Sequence, residues 1–209
     1  MSERQQRRDE KRQLILTRAA ELFYNHGYGI TSMQDIAAAC NLGMNAIYSV
    51  FCSKEQICAE VFVEAQEKFV ASFEQCLLSQ QSLAAKNRQL LDLYTSFYAR
   101  NNFLYEIVWQ VLEGQIDSEI RLQTVSDIHD CFVRLVEGYV RVLEHAQENG
   151  YIRSDLESRT MAAALWSMMS GMASNYAHGT EQLTGVAHDA IRETGLAMVL
   201  EYLKYTGGD

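Results

Sequence analysis

The chain has 209 residues, no proline, 48% hydrophobic residues and a net charge of −9. That length gives room for one or two domains with a sizeable core, and abundant Ala, Leu, Gln and Glu without proline points to an all-α fold. No apolar run reaches the roughly 18 residues of a membrane span and the start is charged rather than signal-like, so a cytoplasmic protein without a membrane partner is expected.

The charge is uneven. Residues 1–55 hold seven Lys/Arg against six Asp/Glu, whereas residues 56–209 hold eleven against twenty-one. The opening stretch with Arg4, Arg7, Arg8, Lys11, Arg12 and Arg18 is basic, and taken alone such a run reads as a solvated, disordered tail. From Arg12 onward Leu14, Ile15, Ala19, Leu22 and Phe23 recur at helical spacing, and Asn25-His26-Gly27 ends that first helix. Thr31 or Ser32 caps a second helix with Met33, Ile36, Ala37 and Cys40 on its buried side. Asp35 stands three residues after Ser32, in the capping-box position where Glu or Gln is usual. Asn41-Leu42-Gly43 supplies a corner, because Asn and Gly tolerate left-handed backbone. A third helix is expected over 44–51, burying Ile47 and Phe51 and leaving Asn45, Ser49 and the edge of Tyr48 outside. It is too short to be stable alone, and a helix presented from a rigid corner fits a major groove.

These residues carry a resemblance. RQLILTRAAELFYNHGYGITSMQDIAAACNLGMNAIYSVFCSKEQI resembles the DNA-binding domain of the TetR family of bacterial transcriptional regulators, through Ile15 to Phe23, Gly27 to Ser32, Asp35 to Ala39, and Tyr48, Phe51, Ser53, Lys54 and Glu55. The resemblance implies a DNA-binding domain over 1–53 and a helical regulatory and dimerisation domain over 54–209. It makes the third helix the reading helix, with Met44, Asn45, Ala46 and Ser49 at its variable positions and Tyr48 against the sugar-phosphate backbone. Thr31, Ser32 and Gln34 fall where the second helix meets backbone or neighbouring bases, and Lys54 approaches a phosphate. On residue chemistry alone, Tyr48 could instead be a packing residue and Met44 a partly buried cap of the corner.

One departure from the common pattern is that no Lys or Arg lies between Arg18 and Lys54. Bidentate arginine readout of guanine from the third helix is therefore excluded. Asn45 can pair with adenine and Met44 or Ala46 can touch a thymine methyl, so A·T steps are expected at the centre of the site. Attraction to phosphate falls to Lys54 and to Arg7, Arg8, Lys11 and Arg12, reaching the backbone or an adjacent minor groove.

Beyond Phe51 a helix from Ser53 to about Gln80 is expected as a mechanical lever, followed by helices near 83–100, 103–113, 118–148, 156–177 and 186–205, about nine in all. The last two are more apolar than one small core requires. By the family pattern they pair with their copies through Met161, Leu165, Met168, Gly171, Met172, Ile191, Met198 and Val199 in a homodimer, the plain alternative being core burial in a monomer. Phe97, Tyr98, Phe103, Tyr105, Trp109, Phe132, Trp166, Met169 and Tyr176 are candidates for an effector pocket, although any one of them is more often core. The expected partners are thus a palindromic operator, a small-molecule effector and a second copy, in a repressor.

Cys40, Cys52, Cys58, Cys76 and Cys131 have no C-x-x-C spacing and the five histidines no H-E-x-x-H spacing, so no metal or other cofactor is expected. A helical enzyme built on Glu113 with His129 or His178, and a ligand-binding helical dimer without DNA binding, are the alternatives. The enzyme reading leaves the basic start and the Tyr48 to Lys54 pattern without a purpose.

Overall fold

Helix α1 (Glu3–His26) begins well before its apolar spacing does. In the computed structural model, which describes residues 2–112, 122–179 and 181–204 (the side chains of 103–112, 122–124 and 183 excepted), the basic start is not a loose tail but the outer turns of this helix. The Ser2 hydroxyl accepts the Gln5 amide, Arg7 pairs with Glu3 at 2.6 Å, and Gln5 and Gln6 donate to Asp9 and Glu10 at 2.9 and 3.1 Å. A cap and three i,i+4 links support an exposed helix that composition alone marks as disordered.

The chain continues through α2 (Met33–Ala39), α3 (Met44–Tyr48), α4 (Lys54–Leu78), α5 (Leu83–Leu112), α6 (Leu122–Glu148), α7 (Ser158–Ala177), α8 (Glu181–Thr184) and α9 (His188–Leu203). Among the described residues these nine helices are the regular structure and no strand occurs. The count agrees with the sequence expectation, but the division does not. The break expected at Asn101-Asn102 is absent, because Asn101 is 2% exposed and its side-chain oxygen accepts the Tyr24 hydroxyl at 2.7 Å. A tertiary hydrogen bond outweighs the weak helix propensity of that pair. The short α8 was not expected, and α3 stops at Tyr48, after which Val50 and Phe51 turn inward.

The chain forms two compact units, Met1–Gln66 with Asn101–His129 and Glu67–Arg100 with Asp130–Asp209, and α4, α5 and α6 each contribute residues to both. In the first unit Ile15, Leu16, Ala19 and Phe23 of α1 share a core with Ile36, Ile47, Phe51, Ile57 and Phe62. In the second, Phe69, Phe73, Leu90, Tyr94, Leu135, Tyr139, Leu143 and Met161 are central members of one hydrophobic cluster.

The α2–α3 corner is fixed by backbone chemistry. Asn41 takes φ +53°, its amide reaches Ala38 and the Leu42 amide reaches Ala37, the pattern that closes a helix with a left-handed residue. Gly43 has the ordinary φ of −75° and caps α3, so the left-handed position of the corner is occupied by Asn41 and not by Gly43. Asn41→Val is expected to cost about 1–2 kcal/mol through the left-handed penalty and Asn41→Gly almost nothing; urea unfolding of the two variants measures the difference.

Candidate nucleic-acid interface

Helix α3 has a divided surface. Ile47 is fully buried and Val50 and Phe51 follow it into the core, while Asn45, Tyr48 and Ser49 face outward, Tyr48 being 53% exposed. Met44 and Ala46 are half-buried, and Gln34 on α2 is exposed. The polar atoms of Asn45 and the ring of Tyr48 are therefore open to a partner, whereas the Ser49 hydroxyl donates to the Ala46 carbonyl at 2.8 Å.

The residues at the start of α2 are more committed than the sequence indicates. Thr31 is buried, its hydroxyl donating to the Gly27 carbonyl at 2.9 Å. Ser32 and Asp35 complete a reciprocal capping box, with the Ser32 amide donating to the Asp35 carboxylate at 2.8 Å and the Asp35 amide to the Ser32 hydroxyl at 3.2 Å. The shorter Asp thus does the work usual for Glu. The Ser32 hydroxyl and amide hold the Asp35 carboxyl below the ordinary carboxylate range.

Lys54, half-buried at the start of α4, acts on the protein's own backbone. Its ammonium donates to the carbonyls of Tyr28 and Thr31, both at 2.9 Å, and stands 4.1 Å from the centre of the Tyr28 ring. The Tyr28 hydroxyl in turn donates to Glu55 at 2.9 Å. Burial, followed by that carboxylate partner, raises the Tyr28 phenol far above its usual range, keeping it neutral. Burial opposes ionisation of Glu55, but its own backbone amide and the Tyr28 and Ser53 hydroxyls outweigh this and lower its carboxyl. An ammonium carries three donors, so the two carbonyls leave one N–H of Lys54 over.

A second brace was not legible in the sequence. Arg12 pairs with Glu60, which is only 4% exposed, and its guanidinium lies 5.8 Å from the Phe51 ring. Glu60 also accepts from Gln56 at 3.1 Å, and Gln56 accepts the Cys52 amide at 2.9 Å, so α1, α4 and the turn after α3 join in one polar chain. Arg12 is thereby spent inside the unit. Among the described residues of this unit Arg4, Arg8 and Lys11 pair with no carboxylate, and these, with the exposed Arg7, are its cations left for an outside partner.

In the second unit the structure gathers Phe97, Tyr98, Phe132, Trp166 and Met169 at or against the hydrophobic cluster, together with Tyr94 and Phe69, which the sequence reading missed. Phe69 stacks on Phe97 at 4.6 Å and Tyr94 meets Trp166 edge-on at 4.7 Å. Tyr176 stands elsewhere, half-exposed against His188 at 5.2 Å. The side chains of Phe103, Tyr105 and Trp109, and Glu113, lie outside the described residues.

Met161, Leu165, Met168, Met198 and Val199 line an apolar groove of about 280 Å³ between α7 and α9, which also includes Ala164, Tyr202 and Leu203. Met198 is 64% exposed, Tyr202 58% and Met168 41%. Met172 and Ile191 line a different groove, and Gly171 faces open space. Among the described residues no helix is long and apolar enough to cross a membrane.

The chain is similar to known proteins in sequence and in fold. The family model described as bacterial regulatory proteins, tetR family, matches residues 15–61. The HTH-type transcriptional activator FasR of Mycolicibacterium smegmatis is 23% identical over 120 residues, 56% of this chain and 55% of that protein. The uncharacterized HTH-type transcriptional regulator YuxN of Bacillus subtilis is 31% identical over 108 residues, 51% of this chain and 36% of that one. The chain therefore spans about half or less of these relatives. A solved transcriptional regulator of the TetR/AcrR family from Thermobifida fusca shares the fold with a TM-score of 0.71 at 19% identity, over 91% of this chain and 97% of that one.

Lys54→Met keeps the aliphatic stem and removes both charged hydrogen bonds, which are worth about 3 kcal/mol together after solvent exchange. The expected outcome is a protein less stable in urea by about that amount, with amide exchange faster at residues 28–32 than in the core of α1.

Proposed function

We propose, from the match of residues 15–61 to the model of the tetR family of bacterial regulatory proteins, that the chain is a member of that family and a DNA-binding transcriptional repressor. It binds a palindromic operator as a homodimer and answers to a small-molecule effector. The working division is 1–53 for DNA reading and 54–209 for regulation and dimerisation. The observation that carries the reading is the outward polar face of α3, Asn45, Tyr48 and Ser49, held on a corner whose reverse side is fully buried.

In this reading Asn45 pairs with adenine and Met44 and Ala46 touch thymine methyls, giving a site rich in A·T steps. Tyr48 and Gln34 rest on the backbone or neighbouring bases. Ser49 lends surface more than a hydrogen bond, and Thr31 and Ser32 act by holding the start of α2. Lys54 offers its remaining N–H to a phosphate, and Arg7, Arg8 and Lys11 supply the salt-dependent attraction from the outer turns of α1. Met168 and Met198 form the exposed centre of the dimer face, with Met161, Leu165 and Val199 as its buried floor and Gly171, Met172 and Ile191 at its margin. The aromatic group around Trp166 forms part of the effector-responsive body.

A second reading, a ligand-binding dimer that does not bind DNA, has one observation in its favour: α2 and α3 carry no cation and Lys54 is mostly occupied internally. Fluorescence anisotropy with DNA flanking the gene separates the two. A salt-sensitive, palindrome-specific complex is expected; no complex at low salt selects the second reading. With Arg8→Ala, affinity falls for all sequences alike and the log–log salt slope becomes shallower by about 0.9, whereas a changed base preference would remove Arg8 from the phosphate role. Deleting the gene should raise transcription of its targets; a fall would mark an activator, as FasR is named.

Met198→Asp places a charge in the α7–α9 groove while leaving the monomer core untouched. Sedimentation should show the wild type as a dimer at micromolar concentration and the variant as a folded monomer. A monomeric wild type would dispose of this interface.

A further inference from the structure

Beneath the apolar face of α7 and α9 the second unit holds a cavity of about 20 Å³, lined by leucine and valine side chains and by Met168, Met169 and Met172. One polar pair enters it. Asn87, 7% exposed, accepts the buried Tyr139 hydroxyl on its side-chain oxygen, and its Nδ2 is buried without an acceptor. The volume suits a single water, and a buried water makes two to four hydrogen bonds; here the polar lining is one amide with two unmet N–H groups and one phenol, among thioethers and hydrocarbon.

Met172 is also a wall of a second space, a groove of about 270 Å³ between α5, α7 and α9. A second buried donor without a partner lies there, the Nε of Arg192, whose outer nitrogens are held by Asp92 at 2.5 Å and Asp189 at 3.4 Å. Both unmet groups are donors, so a ligand that completes them brings acceptors. The charges limit it further. Two carboxylates surround the one guanidinium of the groove, and the cavity has no charged group, so an anion would be opposed on entry and stranded unpaired inside.

Met172 is suited to opening. Its sulfur lies where a side chain at Gly195 would begin, 2.9 Å from that ideal Cβ, a space only glycine leaves. An unbranched thioether turns out of such a space at little cost. We propose that cavity and groove form one effector site closed by Met172. Its ligand is an uncharged, largely apolar molecule whose carbonyl-type acceptor takes the hydrogen bond of Asn87 Nδ2. This rests on the regulator reading and gives its effector a chemical class. Leu165, Met168 and Val199 line both this cavity and the outer α7–α9 groove, so an occupant presses on the proposed dimer face from within.

The test uses the full chain without DNA, with methyl-labelled methionine and three probes of equal carbon number: 2-heptanone, heptanoate and heptane. The ketone should shift the Met172 methyl resonance and bind at least tenfold tighter than heptanoate. Asn87→Leu should lower the preference for ketone over heptane by about tenfold. Met172→Phe, which blocks the passage without touching the Asn87–Tyr139 pair, should abolish ketone binding even if Asn87→Leu fails to fold. Heptanoate binding as well as the ketone, ketone affinity unchanged in either folded variant, or a Met172 resonance that never moves would overturn the proposal. Because no DNA is present, this selectivity in a chain that binds no operator would sink the regulator reading and keep the site.

Discussion

Two carbonyl groups at the turn between α1 and α2 point at one ammonium, and the placement of α2 and α3 depends on that. The backbone from Gly27 to Ser32 must leave α1, turn and enter α2 while partly buried, and buried carbonyls need donors. Lys54 supplies two N–H groups to Tyr28 and Thr31, the Thr31 hydroxyl satisfies Gly27, and the capping box settles the first turn of α2. Since α2 leads directly into the Asn41 corner, the aim of α3 is decided several residues upstream, by groups that read no sequence.

How much of this was legible before any coordinates follows from which interactions are local. The capping box, the end of α1 at Gly27, the corner and the buried Ile47 and Phe51 are set by residues within a few positions of one another, and spacing found them. The outer turns of α1 were local too, but the i,i+4 links among Glu3, Arg7, Gln5 and Asp9 were masked by a composition that reads as tail. What spacing could not find was pairing across tens of residues. Arg12 with Glu60 and Tyr24 with Asn101 are each ordinary surface types until the fold brings them together. The same holds for the candidate ligand site. Of the aromatic and methionine candidates only Tyr176 and Met169 line it, whereas Asn87 and Tyr139 gave no signal, because an unmatched amide is a property of its surroundings rather than of its name.

The protein also divides its cations by task. Among the described residues of the first unit, Arg12 and most of Lys54 are consumed in bracing, Arg18 pairs with Glu21 at 2.8 Å, and Arg4, Arg8 and Lys11, which pair with no carboxylate, sit on the outer turns of α1. Charge attraction and base reading are thereby assigned to different helices. A helix without cations has little affinity for arbitrary DNA through its own contacts, so under the proposed function discrimination would rest on Asn45, Tyr48 and the methyl-bearing residues beside them.

The cysteines have an unplanned use. Cys40, Cys58, Cys76 and Cys131 are buried, with burial raising the thiols of Cys40, Cys58 and Cys76, while Cys52 alone is exposed, in the short link between α3 and α4. Thiolate character and access govern alkylation, so a maleimide or nitroxide reagent should settle on this one position in the native chain. Wherever two copies associate, that supplies a matched pair of spectroscopic tags beside the reading helices, and a ruler between them without engineering the sequence.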